Sequence, residues 1–290
     1  MASAAAGLVQ QAEQKLKGGF LSFLSGPKYD EAAELYQQAA NQYKLAKEWQ
    51  AAADCFVQCA FCAQKSGSST DEANFHQEAG SVLKKISSSQ AADQYEKAVS
   101  ILSANGRFQQ SGKLLMQVAE LYESERLNHT EVKEFYKRAA EMFELDDHGK
   151  SNLTKCNLKV AEFAAKDGDI QGAIQIFESE GEKALQNTLL QYGAKEHFLK
   201  AGILHLVAGD SVTVSIAVDK YRALDPRFAD SREGTLLSGL AEAFANSDVE
   251  AFTDCLREYD SITRLDAWKV DLLYKVTQSM APTVDSADLS

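Results

Sequence analysis

The amino-acid sequence predicts an all-α protein: a solenoid of stacked helical hairpins over residues 1–185, a helical bundle over 186–280 and a flexible polar tail over 281–290. Three observations predict it. An aromatic or large apolar residue recurs about every twenty positions, followed four later by a small or β-branched one. The pairs are Tyr36/Ala40, Phe56/Ala60, Phe75/Ala79, Tyr95/Val99, Leu115/Ala119 and Tyr136/Ala140, with Cys156/Val160 and Phe177/Gly181 looser. Such spacing puts both members on one helix face, and a single helix cannot bury that stripe without stacked neighbours. Period-two alternation of Val, Ile and Thr is nearly absent. Only three prolines occur, Pro27, Pro226 and Pro282, each where a helix would end or be avoided.

The elements follow in order. Residues 2–17 predict a first helix, stopped by Gly18-Gly19, and residues 18–27 form an apolar loop that no helix or strand rule explains well. Tyr29–Ala46 and Trp49–Lys65 form the first hairpin. Turn-forming clusters then punctuate the chain at 66–69, 87–89, 105–106, 128–130, 146–151, 166–169, 186–188 and 209–211. Asp71, Thr130 and Asp169 are the expected helix N-caps. Past residue 185 the period slackens into a bundle: Leu189–Val207, Val212–Leu224, a segment after Pro226, Val249–Tyr259 and Ile262–Met280.

Composition narrows the function classes. With 45% hydrophobic residues and a mean hydropathy of -0.30, the chain has material for a continuous core yet suits water. A net charge of -12 argues against nucleic-acid binding, which needs a basic face. The acidity is uneven: ten acids against four bases lie from Glu242 onward, giving either solubility or a docking surface for a basic partner. Five cysteines without a secretory signal predict a reducing, cytoplasmic setting, and no segment reaches the ~20 apolar residues of a membrane span. Membrane contact is therefore expected to be peripheral.

Catalytic, metal and cofactor sites are not expected. The five histidines are scattered singly, and phosphate-binding, dinucleotide and nucleophile-elbow patterns are missing. Cys59-Ala60-Phe61-Cys62, with Cys55 one turn earlier, is formally a C-x-x-C. It falls mid-helix rather than at a dipole-stabilised N-terminus, so core packing competes with redox or metal use.

Two features point to binding. Phe20, Leu21, Phe23 and Leu24 form either a cap on the first repeat or an exposed wedge; half-buried in lipid, they would contribute roughly 3–6 kcal/mol, comparable to one weak anchor. In a hairpin solenoid, alternate helices share a face. The helices near 107–124, 150–167 and 188–208 carry net charges of 0, +2 and +1, whereas those near 90–104, 130–144 and 169–184 carry -1, -1 and -3. Arg107, Lys113, Lys150, Lys155, Lys159, Lys195 and Lys200 make the first set locally basic, by chance or as a groove for an acidic, elongated partner.

The chain resembles the soluble NSF attachment proteins of the alpha/beta type, from about Leu8 to Leu289. The resemblance rests on Phe20–Pro27 with Glu31-Ala32-Ala33, on Asp225–Glu233, on Glu258–Lys269 and on the ending Asp288-Leu289-Ser290. It implies a tetratricopeptide-like fold and a non-enzymatic adaptor. Several copies would wrap the four-helix SNARE complex and recruit the hexameric NSF ATPase, which pulls that complex apart in vesicle fusion and intracellular protein transport. The family's SNARE-facing lysines match Lys113, Lys155 and Lys159, and the residues chosen by charge alone add Arg107, Lys195 and Lys200. The membrane-attachment loop matches Phe20, Leu21, Phe23 and Leu24. The ATPase contact matches Leu289 with Asp288, together with Glu242. This chain departs from the family in having only Asp285 and Asp288 before Leu289, and Ala245 and Asn246 where relatives carry acids, which implies a thinner acidic contact. The competing expectation is a generic tetratricopeptide scaffold or co-chaperone that grips peptides.

Overall fold

A periodic chain whose helices cannot bury their stripes alone should pack each helix on the next. The computed structural model describes residues 2–17, 26–126 and 128–280, and among these the only regular structure is helical. Two compact units divide the chain, Met1–Cys156 and Asn157–Ser290.

The first unit holds α1 (Ala2–Lys17), α2 (Tyr29–Leu45), α3 (Trp49–Ser66), α4 (Ser69–Leu83), α5 (Ser88–Ala104), α6 (Phe108–Ser124), α7 (His129–Glu144) and the start of α8 (Lys150–Lys166). From α1 to α7 each helix packs on its successor. The spaced pairs are the core: Tyr36, Phe56, Tyr95, Leu115 and Tyr136 are buried with their small partners, and Phe75 is half-buried over buried Ala79. Each large side chain of this kind contributes about 1.5–3 kcal/mol on burial. Glycines facing the large rings set how closely helices approach. A Cβ added to Gly112 would lie 2.9 Å from the Phe143 ring, and one on Gly80 would lie 2.8 Å from Tyr95.

Two expected caps are displaced. Ser68 accepts the Asp71 N–H at 3.4 Å, and Asn128 accepts the Thr130 N–H at 3.0 Å, so Asp71 and Thr130 lie inside their helices. A short side chain just outside the first turn reaches the orphan N–H groups, which one already inside cannot do. Asp169 does cap its helix, accepting the Gly172 N–H at 3.0 Å.

The second unit continues α8 and adds α9 (Ile170–Leu185), a 3-10 turn (Gln191–Gly193), α10 (Ala194–Ala208), α11 (Ser211–Leu224), α12 (Pro226–Ala229), α13 (Arg232–Ala245), α14 (Val249–Ile262) and α15 (Ala267–Met280). Here packing is no longer strictly sequential: α10 touches α9, α11, α13 and α15. Phe198 on α10 stacks on Tyr221 at 4.9 Å between centroids, and Phe228 meets both rings edge-on at 6.0 Å. Helix α10 starts later than the sequence predicts. The Asn187 side chain accepts the Leu189 N–H at 2.9 Å, turning the backbone before helix can propagate. The last helix is also shorter, because Ile262 completes α14. Asp260 then accepts the Leu265 N–H at 2.9 Å, and Asp266 accepts the Lys269 N–H at the same distance, capping α15.

Candidate partner-binding surfaces

In the first unit, the triplet Ser111-Gly112-Lys113 shows how the sequence presents a charge. Ser111 is fully buried and donates its hydroxyl to the Arg107 carbonyl at 3.2 Å, while Gly112 meets the Phe143 ring. Two small inward residues seat α6 tightly, and Lys113 beside them is exposed. Among the described residues Lys113 and Arg107 enter no ion pair. Two turns along the same face, Glu120 accepts Lys155 of α8 at 2.7 Å. Both groups are about half-exposed, so the pair is worth only ~0.2–1 kcal/mol. A carboxylate on a partner can therefore replace Glu120 at little cost.

In the second unit the cations are built into the fold. Lys200, with 13% of its side chain exposed, pairs with Glu162 at 2.6 Å. Its ammonium lies 5.5 Å from the Phe177 ring centroid and 5.4 Å from that of Trp268. Trp268 in turn donates its indole N–H to the Glu162 carbonyl at 3.2 Å, so α8, α9, α10 and α15 meet at one charged and aromatic junction. Lys159, half-buried, is 3.5 Å from the other oxygen of Glu162. Lys195 pairs at 3.0 Å with Glu233, which is nearly buried. Lys269, which the sequence does not single out, is buried between Glu196 at 2.5 Å and Asp266 at 2.7 Å. Burial pushes its pKa down, but the two carboxylates outweigh that and hold it above the ordinary lysine value.

Glu242 is exposed in the last turn of α13. Phe20, Leu21, Phe23, Leu24, Asp288 and Leu289 lie outside the described residues.

An apolar knob stands outside the helical periodicity. Leu189, Leu190 and Tyr192 are 87%, 58% and 69% exposed. They are held rather than loose. Asn187 accepts from Leu189, Gln191 donates to the Thr188 carbonyl at 2.9 Å, and Arg227 donates to Gln191 at 2.9 Å while covering the Tyr192 ring. Its signal in the sequence is Leu-Leu-x-Tyr directly after a turn cluster, a place where no packing partner is spaced to receive it.

The three cysteines of α3 are buried free thiols, and Cys59 donates to the Ala33 carbonyl at 3.4 Å. Burial pushes the Cys55 and Cys62 thiols up to about 11 and Cys59 higher still, the reverse of a reactive thiolate. Among the described residues no group of three metal-type side chains converges, and no helix is long and apolar enough to cross a membrane.

Comparison with known proteins agrees with the described fold. A family profile described as soluble NSF attachment protein, SNAP, matches residues 3–281. The alpha-soluble NSF attachment protein of Vitis vinifera is 40% identical over 282 residues, spanning 97% of this chain and 96% of that one. The probable vesicular-fusion protein sec17 homolog of Schizosaccharomyces pombe is 32% identical over 280 residues, 96% of each. Among solved structures, a signal-transduction ATPase with a tetratricopeptide repeat sensor from Pyrococcus horikoshii matches 95% of this chain and 44% of its own. Its TM-score is 0.51 at 12% identity, a likeness of fold alone.

Proposed function

Because the chain belongs to the soluble NSF attachment protein family, we propose that it is an adaptor that binds assembled SNARE complexes and brings an NSF-type ATPase to them for disassembly in vesicle fusion. The observation that carries this reading is the family match over almost the whole chain, joined to an α6–α8 face on which cations are exposed or weakly held. Arg107, Lys113 and Lys155 are its direct contacts in the first unit, and Lys159 and Lys195 in the second. Lys200 serves in this scheme by holding Trp268 and Glu162 in place. Exposed pairs worth ~0.2–1 kcal/mol each cannot hold a partner singly, so binding is multivalent over several lysines and several copies. The exposed knob Leu189/Tyr192 adds apolar area beside Lys195 in the chain. Phe20, Leu21, Phe23 and Leu24 supply a peripheral membrane contact, and Glu242, Asp288 and Leu289 meet the ATPase, whose nucleotide chemistry this chain does not perform.

The test is disassembly of purified SNARE complex by the ATPase with ATP, using Lys113→Glu with Lys155→Glu. Reversing both charges is expected to lower SNARE affinity at least about tenfold at physiological salt, from two lost attractions and two new repulsions. Unimpaired binding and disassembly by the doubly acidic variant would remove these lysines from the contact.

A further inference from the structure

Helix α6 carries two acids, nearly one turn apart, that are held in different ways. Glu123 accepts the hydroxyl of Tyr136, a fully buried ring of α7, at 2.8 Å, so it belongs to the packing of α6 on α7. Glu120 instead accepts the Lys155 ammonium at 2.7 Å, joining α6 to α8 at the surface with both side chains half-exposed. Its position is out of keeping with its neighbours. Lys113 lies seven residues back on the same face of α6, Arg107 precedes that helix, and both are exposed cations like Lys155. An acidic partner drawn to these three cations meets a carboxylate among them, which by itself repels it.

We propose that Glu120 is an internal competitor for Lys155: it neutralises that lysine in the free chain, and an acidic partner must take its place to use the lysine. This rests on the adaptor reading and adds to it a limit on affinity. The exchange replaces one surface ion pair by another, so Lys155 contributes little net attraction. The displaced carboxylate, fixed on a helix that packs on α7, stands ready to retake the lysine when the partner is pulled away. An adaptor that must release each complex it helps dismantle gains from a face that closes on itself. The exchange also sets the response to salt. Ions screen the internal pair and the partner pair alike, so the natural chain should lose less affinity with rising salt than one lacking Glu120.

Two measurements test this. A carbodiimide, which couples an amine to a carboxylate only where the two touch, should join Lys155 to Glu120 in the chain alone. Added SNARE complex should suppress that crosslink and replace it with crosslinks from Lys155 to the partner. In the second measurement, Glu120→Gln, at an exposed helical position that glutamine suits, should tighten SNARE binding about two- to fivefold at physiological salt, the range an exposed pair commands. The gain should vanish near 1 M salt, where screening acts within about 3 Å, and should be at least halved in a Lys155→Met background. No Lys155–Glu120 crosslink, no gain from Glu120→Gln, or an equal gain with and without Lys155, which marks a general charge effect, would each overturn the proposal. Binding that weakens on Lys155→Met but ignores Glu120→Gln removes this proposal and leaves the adaptor reading standing. A chain that binds no SNARE complex removes both.

Discussion

Lys113 on α6 and Lys200 on α10 stand on helices that the charge pattern treats alike, yet the two units use them in opposite ways. Lys113 projects from a seat made by Ser111 and Gly112 and keeps its charge for solvent. Lys200 spends its charge inside the fold, on Glu162 and on the Phe177 and Trp268 rings. The reason lies in how each unit packs. In the first unit each helix from α1 to α7 packs on its successor, which leaves Lys113 on the outer side of α6 exposed. In the second, α15 comes back from the end of the chain onto α10 and covers what a regular repeat would leave exposed. A cation of the basic face is therefore available to a partner to the extent that it stays exposed, Lys113 fully and Lys200 hardly at all.

The largest effect expected to break this contrast is at the junction itself. Trp268→Ala removes a buried ring that packs edge-on against Phe177 at 5.6 Å and should destabilise the second unit by about 3–5 kcal/mol in urea unfolding. A loss below about 1 kcal/mol would mean that the junction does not hold α15 in place. Next comes a paired comparison. Lys200→Met should cost about 1–3 kcal/mol of stability, because Glu162 keeps only the longer contact to Lys159. Lys113→Met should cost no more than about 0.5 kcal/mol while weakening partner binding. Adding Glu162→Met to Lys200→Met should restore part of the loss, since removing both partners leaves no orphaned charge. Equal stability losses at positions 113 and 200 would erase the distinction.

The first unit was legible because its code is local. Tyr36/Ala40 or Tyr136/Ala140 needs only helix geometry to place both side chains on one buried face, and both pairs are buried. Helix bounds were readable to within a residue or two wherever turn chemistry was strong. They slipped at α10 and α15, where Asn187 and Asp260 bind backbone a few residues on and postpone the helix. Periodicity says which face a lysine occupies, but not what arrives to cover that face. Lys200 is enclosed by Trp268, sixty-eight positions away, and nothing within one turn of Lys200 announces it. Asp266, one turn before Lys269, is visible in the sequence, but Glu196, the acid that makes Lys269 a link between α10 and α15, is remote. The knob at Leu189 and Tyr192 was missed because exposed apolar residues leave no periodic trace.

The smallest expected effect sharpens the same contrast through pH. Glu178 in the second unit accepts Lys220 at 2.7 Å and the Tyr221 hydroxyl at 2.7 Å, with His205 at 3.6 Å. Burial alone would push its pKa up, but the hydrogen bonds from Lys220 and Tyr221, with the His205 ring close by, outweigh it and hold the carboxyl at about 2, against an ordinary 4.5. Between those values the folded state binds fewer protons than the unfolded chain. The stabilisation is thus complete above about pH 4.5 and is lost as the pH falls through about 2. Discounted for partial solvent screening, it is of the order of 1–2 kcal/mol. Glu31 in the first unit is also held at about 2, by Lys15 and Lys28, yet it stands in solvent and binds surface lysines that water serves almost as well. Glu178→Gln should therefore lower the urea midpoint at pH 7 and flatten its decline toward pH 3, whereas Glu31→Gln should leave that decline nearly unchanged. If the two variants flatten the acid limb alike, charge is engaged no more deeply in the second unit than in the first.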